Sequence, residues 1–276
     1  MKRIAIIGHG FVGKAVDYGF TNDQVEKVII DPIYGTTIEK DLGDPNSYNF
    51  IFVCVPTPMK DDGAIDRGII DSVMKFVTRG ILFTTTNIVI KSTITPDIAE
   101  DYENDLVVYN PEFLTEASAK QDFVHPEFHV FGGHPEMCYR LKSFYDEYSL
   151  CDDVPVYVMS MAEASFVKYA INSFLSTKIT FFNQLYDAVK DTSANYTKIM
   201  KAVSADPRIG SSHTKVPGFD GKQGYGGACF PKDTNALINY SKRFTLVEEC
   251  VRINSAYRSQ YELDEREKEQ NVKYNG

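Results

Sequence analysis

What is missing from this sequence narrows it first. No apolar run approaches the roughly 20 residues that a membrane-spanning helix needs. The opening MKRIAIIGHG has only four apolar residues before its first glycine, too few for a signal-peptide core, and reads as a first β-strand. No Lys/Arg-rich stripe is present, and a net charge of −9 argues against a nucleic-acid partner. The five cysteines, at 54, 138, 151, 229 and 250, form no CxxC pair and no Cys/His spacing of the zinc type. An odd, scattered set of thiols points to a reducing compartment, so a cytoplasmic protein with no membrane association and no bound metal is expected. What is there, 43% hydrophobic and 24% charged residues over 276 positions, is the composition of a soluble globular chain long enough for two domains.

The first half alternates short apolar runs with helix-compatible segments. RIAIIGHGFVGKAVDYGF carries Gly8-x-Gly10-x-x-Gly13 between a strand and a helix, and the next apolar run, VEKVIID, ends in Asp31. Gly8 suits a tight turn, Gly10 lets a pyrophosphate reach the backbone, and Gly13 lets helix and strand pack closely. The helix N-terminus offers free N–H groups to phosphates. Asp31 would accept hydrogen bonds from ribose hydroxyls and repel a 2′-phosphate, which favours NAD over NADP. Further strands are expected within 50–56, 87–93, 105–111 and 127–133, with helices over 66–78 and 96–103. Thr57, Thr93, Glu112 and Glu116 follow the ends of three of these strands, where open parallel sheets bind ligands.

The pattern changes after VPVYVMS, at 154–160. Residues 161–190 contain neither Gly nor Pro, repeat apolar positions at helical spacing, and predict one long helix. Lys168 and Asn172, four apart, share a face of it. Its aromatic residues supply more apolar surface than a small domain needs, so a homodimer is expected. Helix is also expected around 195–204 and as one segment over 234–259, joined by the loop 206–223. The expected domains are 1–158, binding NAD; 159–262, helical; and 263–276, a charged and frayed tail.

GYGGACFPKD, at 224–233, places Cys229 between glycines and a Pro-Lys-Asp triplet. Inert thiols usually sit among aliphatic side chains. Here, backbone freedom precedes the thiol and charges follow it, a setting for a reactive group.

GHGFVG, VCVPTP, KST, NPEFLTEASA, the EAS-x-x-K-x-x-x-N helix, DPRIG and GYGGACFPKD together resemble the UDP-glucose/GDP-mannose dehydrogenase family, in family order over roughly residues 1–260. The resemblance implies an α/β fold, a Rossmann-type doubly wound parallel sheet followed by an all-helical dimerisation domain. It implies oxidation of a nucleotide-sugar C6 alcohol to a carboxylate with two NAD per turnover. Cys229 would be the nucleophile, supported by Lys168, Asn172 and Asp233, while Thr93 and Glu112 would handle water and protons. Phe11, Val12, Pro56, Thr57, Thr93, Glu116 and Lys232 would join the glycine loop and Asp31 along the cofactor. Glu112, Phe113, Leu114, Lys168, Asn172, Arg208 and Gly224, Tyr225, Gly226 and Gly227 would meet the substrate.

The chemistry suits a thiol. An alcohol becomes an acid by losing two hydrides, and a thiolate can hold the intermediate aldehyde as a thiohemiacetal whose oxidation gives a thioester for water to cleave. Lys168 and Asn172 would stabilise the oxyanions, Lys168 and Lys232 would favour the thiolate, and glycines would admit substrate to the backbone.

Three departures from the family pattern stand out. The motifs end where the family's UDP-binding domain would begin, the segment between Asp31 and Phe50 is short enough to reduce the second helix, and the Arg208–Cys229 loop is long enough to reshape the pocket. Two other readings remain open: a two-electron β-hydroxyacid-type dehydrogenase, which has no need of Cys229, and an NAD-binding scaffold without turnover.

Overall fold

Runs of Ile, Val and Phe without polar interruption build the strands of the first part of the chain, as burial of both sheet faces requires. The computed structural model describes residues 1–81, 86–115 and 117–274. Two compact units divide the chain, one of Met1–Thr57 with Asp66–Lys168, the other of Pro58–Ile65 with Tyr169–Gly276.

In the first unit the six expected strands form, joined by a seventh within VPVYVMS that was not expected: β1 (Lys2–Ile7), β2 (Val25–Ile30), β3 (Phe50–Val53), β4 (Asn87–Ile90), β5 (Val107–Tyr109), β6 (His129–Gly133) and β7 (Val156–Met159). Their order is β2-β1-β3-β4-β5-β6-β7. Because β1 has β2 on one side and β3 on the other, the crevice of a doubly wound sheet lies beyond the carboxyl ends of β1 and β3. The sheet is mostly rather than wholly parallel, since β6 runs antiparallel to β5 through Val108↔Gly133 and Tyr109↔Gly132. The connection between them holds only the six-residue α5 (Ala119–Val124), where a parallel crossover normally uses a full covering helix.

The other helices of this unit are α1 (Phe11–Gly19), α2 (Ile38–Asp41), α3 (Gly68–Gly80), α4 (Pro96–Asp101) and α6 (Pro135–Tyr148). The four-residue α2 is the reduced second helix that the short segment implied. The sequence reading did not include α6, although its buried Cys138, Leu141, Phe144, Tyr145 and Tyr148 have helical spacing. These residues join Ile4, Ile6, Phe50, Phe52 and Phe131 in the core around Phe20. Within that apolar region lies a polar network: Lys91 Nζ donates to Asn110 Oδ1 at 2.9 Å, and the Tyr145 hydroxyl donates to the same oxygen at 3.0 Å. Burial pushes the Lys91 ammonium down to about 8.

The expected long helix forms as α7 (Met161–Lys190), followed by α8 (Tyr196–Val203), α9 (Phe230–Tyr240), α10 (Thr245–Arg258) and α11 (Glu265–Glu269). The boundary between units falls inside α7 rather than at 158/159. Its first two turns pack in the first unit, where Met161 and Ala164 are buried and the Ser165 hydroxyl donates to the Ile94 carbonyl at 2.7 Å.

Two expectations for the second unit are corrected. The segment 234–259 is two helices, because Ser241 is extended (φ −146°, ψ 120°) and its hydroxyl accepts from the Arg243 amide in place of a helical bond. The tail is not frayed through residue 274. Asp264 and Glu267 form a capping box on α11, Val272 is buried, and the Met59 amide donates to the Gln270 carbonyl. Charges that read as solvated are helix caps and buried acceptors.

His129 supplies a test of the first unit. Its ring lies 5.0 Å from that of Tyr145, its Nε2 is buried without a partner, and burial, aided by the nearby Lys91 charge, pushes it from 6.5 down to about 4. The unfolded chain therefore binds this proton first as pH falls from 6.5 to about 4, and stability is lost over that window. His129→Phe, which keeps a ring but removes the titration, should lose less thermal stability than the parent between those pH values. Parallel pH dependence of the two melting temperatures would contradict this assignment.

Candidate functional site

The glycine loop directly follows β1. Gly8 has φ +88°, and a Cβ there would lie 2.7 Å from the Cys54 carbonyl oxygen. A Cβ on Gly13 would overlap the Gly8 carbonyl at 2.0 Å, so both glycines are required by packing. Gly10 differs, because nothing lies within 4 Å of the position its Cβ would take. Gly10 also begins α1 with no side-chain cap. At the end of β2, the Asp31 carboxylate accepts from the His9 amide at 2.6 Å and the Ile33 amide at 2.9 Å, which anchors it beside the loop. Uncapped amides, an open glycine and a fixed carboxylate fit a dinucleotide's pyrophosphate and ribose. After β3, Pro56 is exposed and Thr57 is buried, its hydroxyl donating to the Thr93 carbonyl at 2.9 Å. Glu116 lies outside the described residues.

A second cluster of the first unit surrounds Glu112. Lys168 Nζ donates to the Glu112 carbonyl at 2.6 Å and lies 3.0 Å from its Oε1, while Oε2 accepts from the Leu114 amide at 2.7 Å. Both side chains of this ion pair are buried. Glu112, Phe113 and Leu114 line a cleft of about 280 Å³ that also reaches Lys91, Asn110 and His129. Lys91 was visible in the sequence only as the first residue of KST, and nothing in that motif announced its burial. Thr93 is half-buried, and the hydrogen bonds of the Glu112 carboxylate run to Lys168 and Leu114.

In the second unit, Asn172 Nδ2 donates to Asp233 Oδ2 at 2.6 Å and Lys232 Nζ donates to Asp233 Oδ1 at 2.6 Å. All three side chains are buried, so Lys232 is held by its neighbour's carboxylate. Cys229 stands at the N-cap of α9, half-buried, and its carbonyl accepts from the Asp233 amide at 2.8 Å. A helix N-terminus favours negative charge at that position.

The glycines before Cys229 have a different explanation from the one the sequence suggested. A Cβ on Gly224 would lie 2.5 Å from Asn254 Oδ1, and one on Gly226 would lie 2.1 Å from a guanidinium nitrogen of Arg258. They admit the protein's own side chains to the backbone. The Tyr225 ring is buried, edge-on to Phe230, so it presents no open face to a ligand. Arg208 is 86% exposed and pairs with Asp206, whereas Asn172, Lys232 and Asp233 are buried. Asn183, Asn254, Arg258 and Glu267 contact the glycine segment, and sequence reasoning missed them because they lie scattered along α7, α10 and the tail.

A doubly wound sheet with an uncapped glycine turn and a carboxylate at the end of β2 defines a dinucleotide-binding protein. The family model described as "UDP-glucose/GDP-mannose dehydrogenase family, NAD binding domain" matches residues 35–149, and that of the same family's central domain matches residues 162–256. The chain belongs to the UDP-glucose/GDP-mannose dehydrogenase family, and its cofactor is NAD. It is 32% identical over 237 residues to UDP-glucose 6-dehydrogenase YwqF of Bacillus subtilis, covering 80% of this chain and 51% of that protein. It is also 32% identical over 283 residues to a UDP-glucose 6-dehydrogenase of Rickettsia felis, covering 86% and 60% of the respective chains. The structure resembles a UDP-glucose dehydrogenase from the archaeon Pyrobaculum islandicum, with a TM-score of 0.76 and 27% identity over 93% of this chain and 68% of that one. The chain thus spans about half to two thirds of the length of these relatives.

The fixed carboxylate gives an expectation for cofactor choice. NADP should bind at least about tenfold more weakly than NAD, because Asp31 would face the added phosphate across a short distance. Asp31→Ser should narrow that ratio in a fluorescence titration. An unchanged ratio would remove Asp31 from the discrimination.

Proposed function

We propose that this chain carries out the NAD-dependent, four-electron oxidation of a nucleotide-sugar C6 alcohol to a carboxylate, with Cys229 as nucleophile. The observation that carries this reading is Cys229 on the N-terminus of α9, one turn from the buried Asn172–Asp233–Lys232 network. A two-electron oxidation needs no thiol, whereas a second oxidation does.

NAD, when bound, accepts a hydride at each of the two oxidations, held by the Gly8–Gly13 turn and Asp31. The residues of the chain do the rest. The Cys229 sulfur adds to the aldehyde carbon, forming a C–S bond and a thiohemiacetal oxygen that gives up its proton as the second hydride leaves. The resulting thioester is cleaved by water, which returns the thiol and releases the acid. Asn172 has a second amide N–H, beyond the one given to Asp233, with which to stabilise an oxyanion. Lys168 contributes positive charge to the same end and holds the Glu112 carboxylate, which takes the proton from water. UDP-sugars are the first substrates to test, since the named relatives act on UDP-glucose.

A homodimer is part of this proposal. Phe174 and Phe181, seven apart on α7, are 68% and 59% exposed in the single chain and share a face. A second copy is the occupant proposed for that stripe, and five cysteines that form no disulfide suit a reducing compartment.

Two measurements test these readings. Cys229→Ser should lower carboxylate formation on the order of 10³-fold, because the hydroxyl is a far weaker nucleophile, and leave NAD affinity nearly intact. Undiminished acid production in rapid-quench analysis would refute the thiol's role. Sedimentation velocity at micromolar concentration should show a dimer, and a stable monomer would refute the interface.

A further inference from the structure

The segment that leads into Cys229 is gripped from beneath by a buried ion pair that lies outside all the motifs described above. Arg258, at the end of α10, and Glu267, in α11, are 1% and 0% exposed, with Arg258 Nη2 3.0 Å from Glu267 Oε1. That carboxylate oxygen also accepts from the Gly227 amide at 3.1 Å and the Tyr274 hydroxyl at 2.8 Å, while Oε2 accepts from the Asp264 amide at 2.9 Å. Arg258 Nη1 reaches Asp220 of the long loop at 2.6 Å. The guanidinium lies so close to Gly226 that any Cβ there would overlap it.

This arrangement is a poor choice if stability alone were served. Burying two ions costs several kcal/mol each before their attraction offsets it, and a well-packed apolar pair is often as stable. Arg258 Nε is left buried without a partner, an added cost. What the pair supplies is direction. Opposite charges with multiple hydrogen bonds fix three chain segments, the 220 loop, the glycine segment and α11, in one geometry, and Gly227 is two residues from the thiol.

We propose that Arg258 and Glu267 are positioning residues for Cys229, holding the Gly226–Gly227 backbone so that the thiol is presented in the attacking orientation at the start of α9. The inference rests on the reading of Cys229 as the nucleophile. The pair acts through the backbone and touches no reacting atom. A misplacement of about 1 Å costs roughly 100-fold in rate when reacting groups must be aligned, so a modest loosening should be visible in turnover.

The test uses the full chain with Glu267→Gln, which keeps the size and removes the charge. Acid formation should fall about tenfold or more in kcat, with the KM for NAD within about twofold of the parent. Amide exchange at Gly227 should accelerate, and alkylation of Cys229 by iodoacetamide, followed by mass spectrometry, should speed up by about threefold or more. If Glu267→Gln does not fold, as judged by near-ultraviolet circular dichroism, Tyr274→Phe removes one hydrogen bond to the same oxygen and should move each readout about threefold. Parent-like kcat and alkylation in a folded variant would overturn the proposal, as would unchanged exchange at Gly227. If Cys229→Ser itself still made acid, the role of the thiol would fail, while exchange and alkylation would still judge the clamp.

Discussion

Charge taken out of water must find a partner, and the placement of Lys168, Glu112, Lys232 and Asp233 follows from that requirement. Among the described residues, three ion pairs have both side chains less than a tenth exposed: Lys168–Glu112, Lys232–Asp233 and Arg258–Glu267. Removing one member of such a pair leaves an uncompensated buried ion, at a cost of about 3–5 kcal/mol, so each partner's position is tightly held. Each pair also fixes backbone. Lys168 binds the Glu112 carbonyl, Asp233 receives Asn172 on its other oxygen, and Glu267 binds the Gly227 amide. The polar groups proposed for catalysis are therefore held by electrostatics, while the apolar core around Phe20 holds the sheet that carries the cofactor loop.

Where physics is local, the sequence was readable. Six of the seven strands were visible as apolar runs, α7 as thirty residues without Gly or Pro, and the dinucleotide turn as three glycines with an acid after the next strand. The structure gives those glycines separate reasons, a carbonyl contact for Gly8 and Gly13 and open space for Gly10. The buried pairing of Asn172 with Asp233 was legible only in part, because helical spacing put Lys168 and Asn172 on one face without saying what they would meet.

Long-range pairing was not readable. Glu267 sits in a stretch whose composition is that of a solvated tail, yet it accepts bonds from Arg258, Gly227 and Tyr274, and Met59 is bonded to Gln270 from more than two hundred residues away. Composition averages over a window, and burial of a single acid depends on partners elsewhere in the chain. The break at Ser241 was missed for a related reason, since a helical apolar pattern resumes in phase closely enough to hide four intervening residues. Glycines 224 and 226 were read as room for substrate, and only the positions of Asn254 and Arg258 show what fills that room.

The covalent chemistry of the thiol at the start of α9 is the most direct thing to observe. The enzyme would be mixed with NAD and, in turn, UDP- and GDP-sugars, quenched in acid at millisecond to second intervals, and digested for mass spectrometry of the cysteine-containing peptides. A sugar-nucleotide acyl adduct on Cys229, absent from the other four cysteines and decaying as acid appears, is the predicted result. Acid formed with two NADH per substrate while Cys229 remains unmodified at every quench time would contradict it.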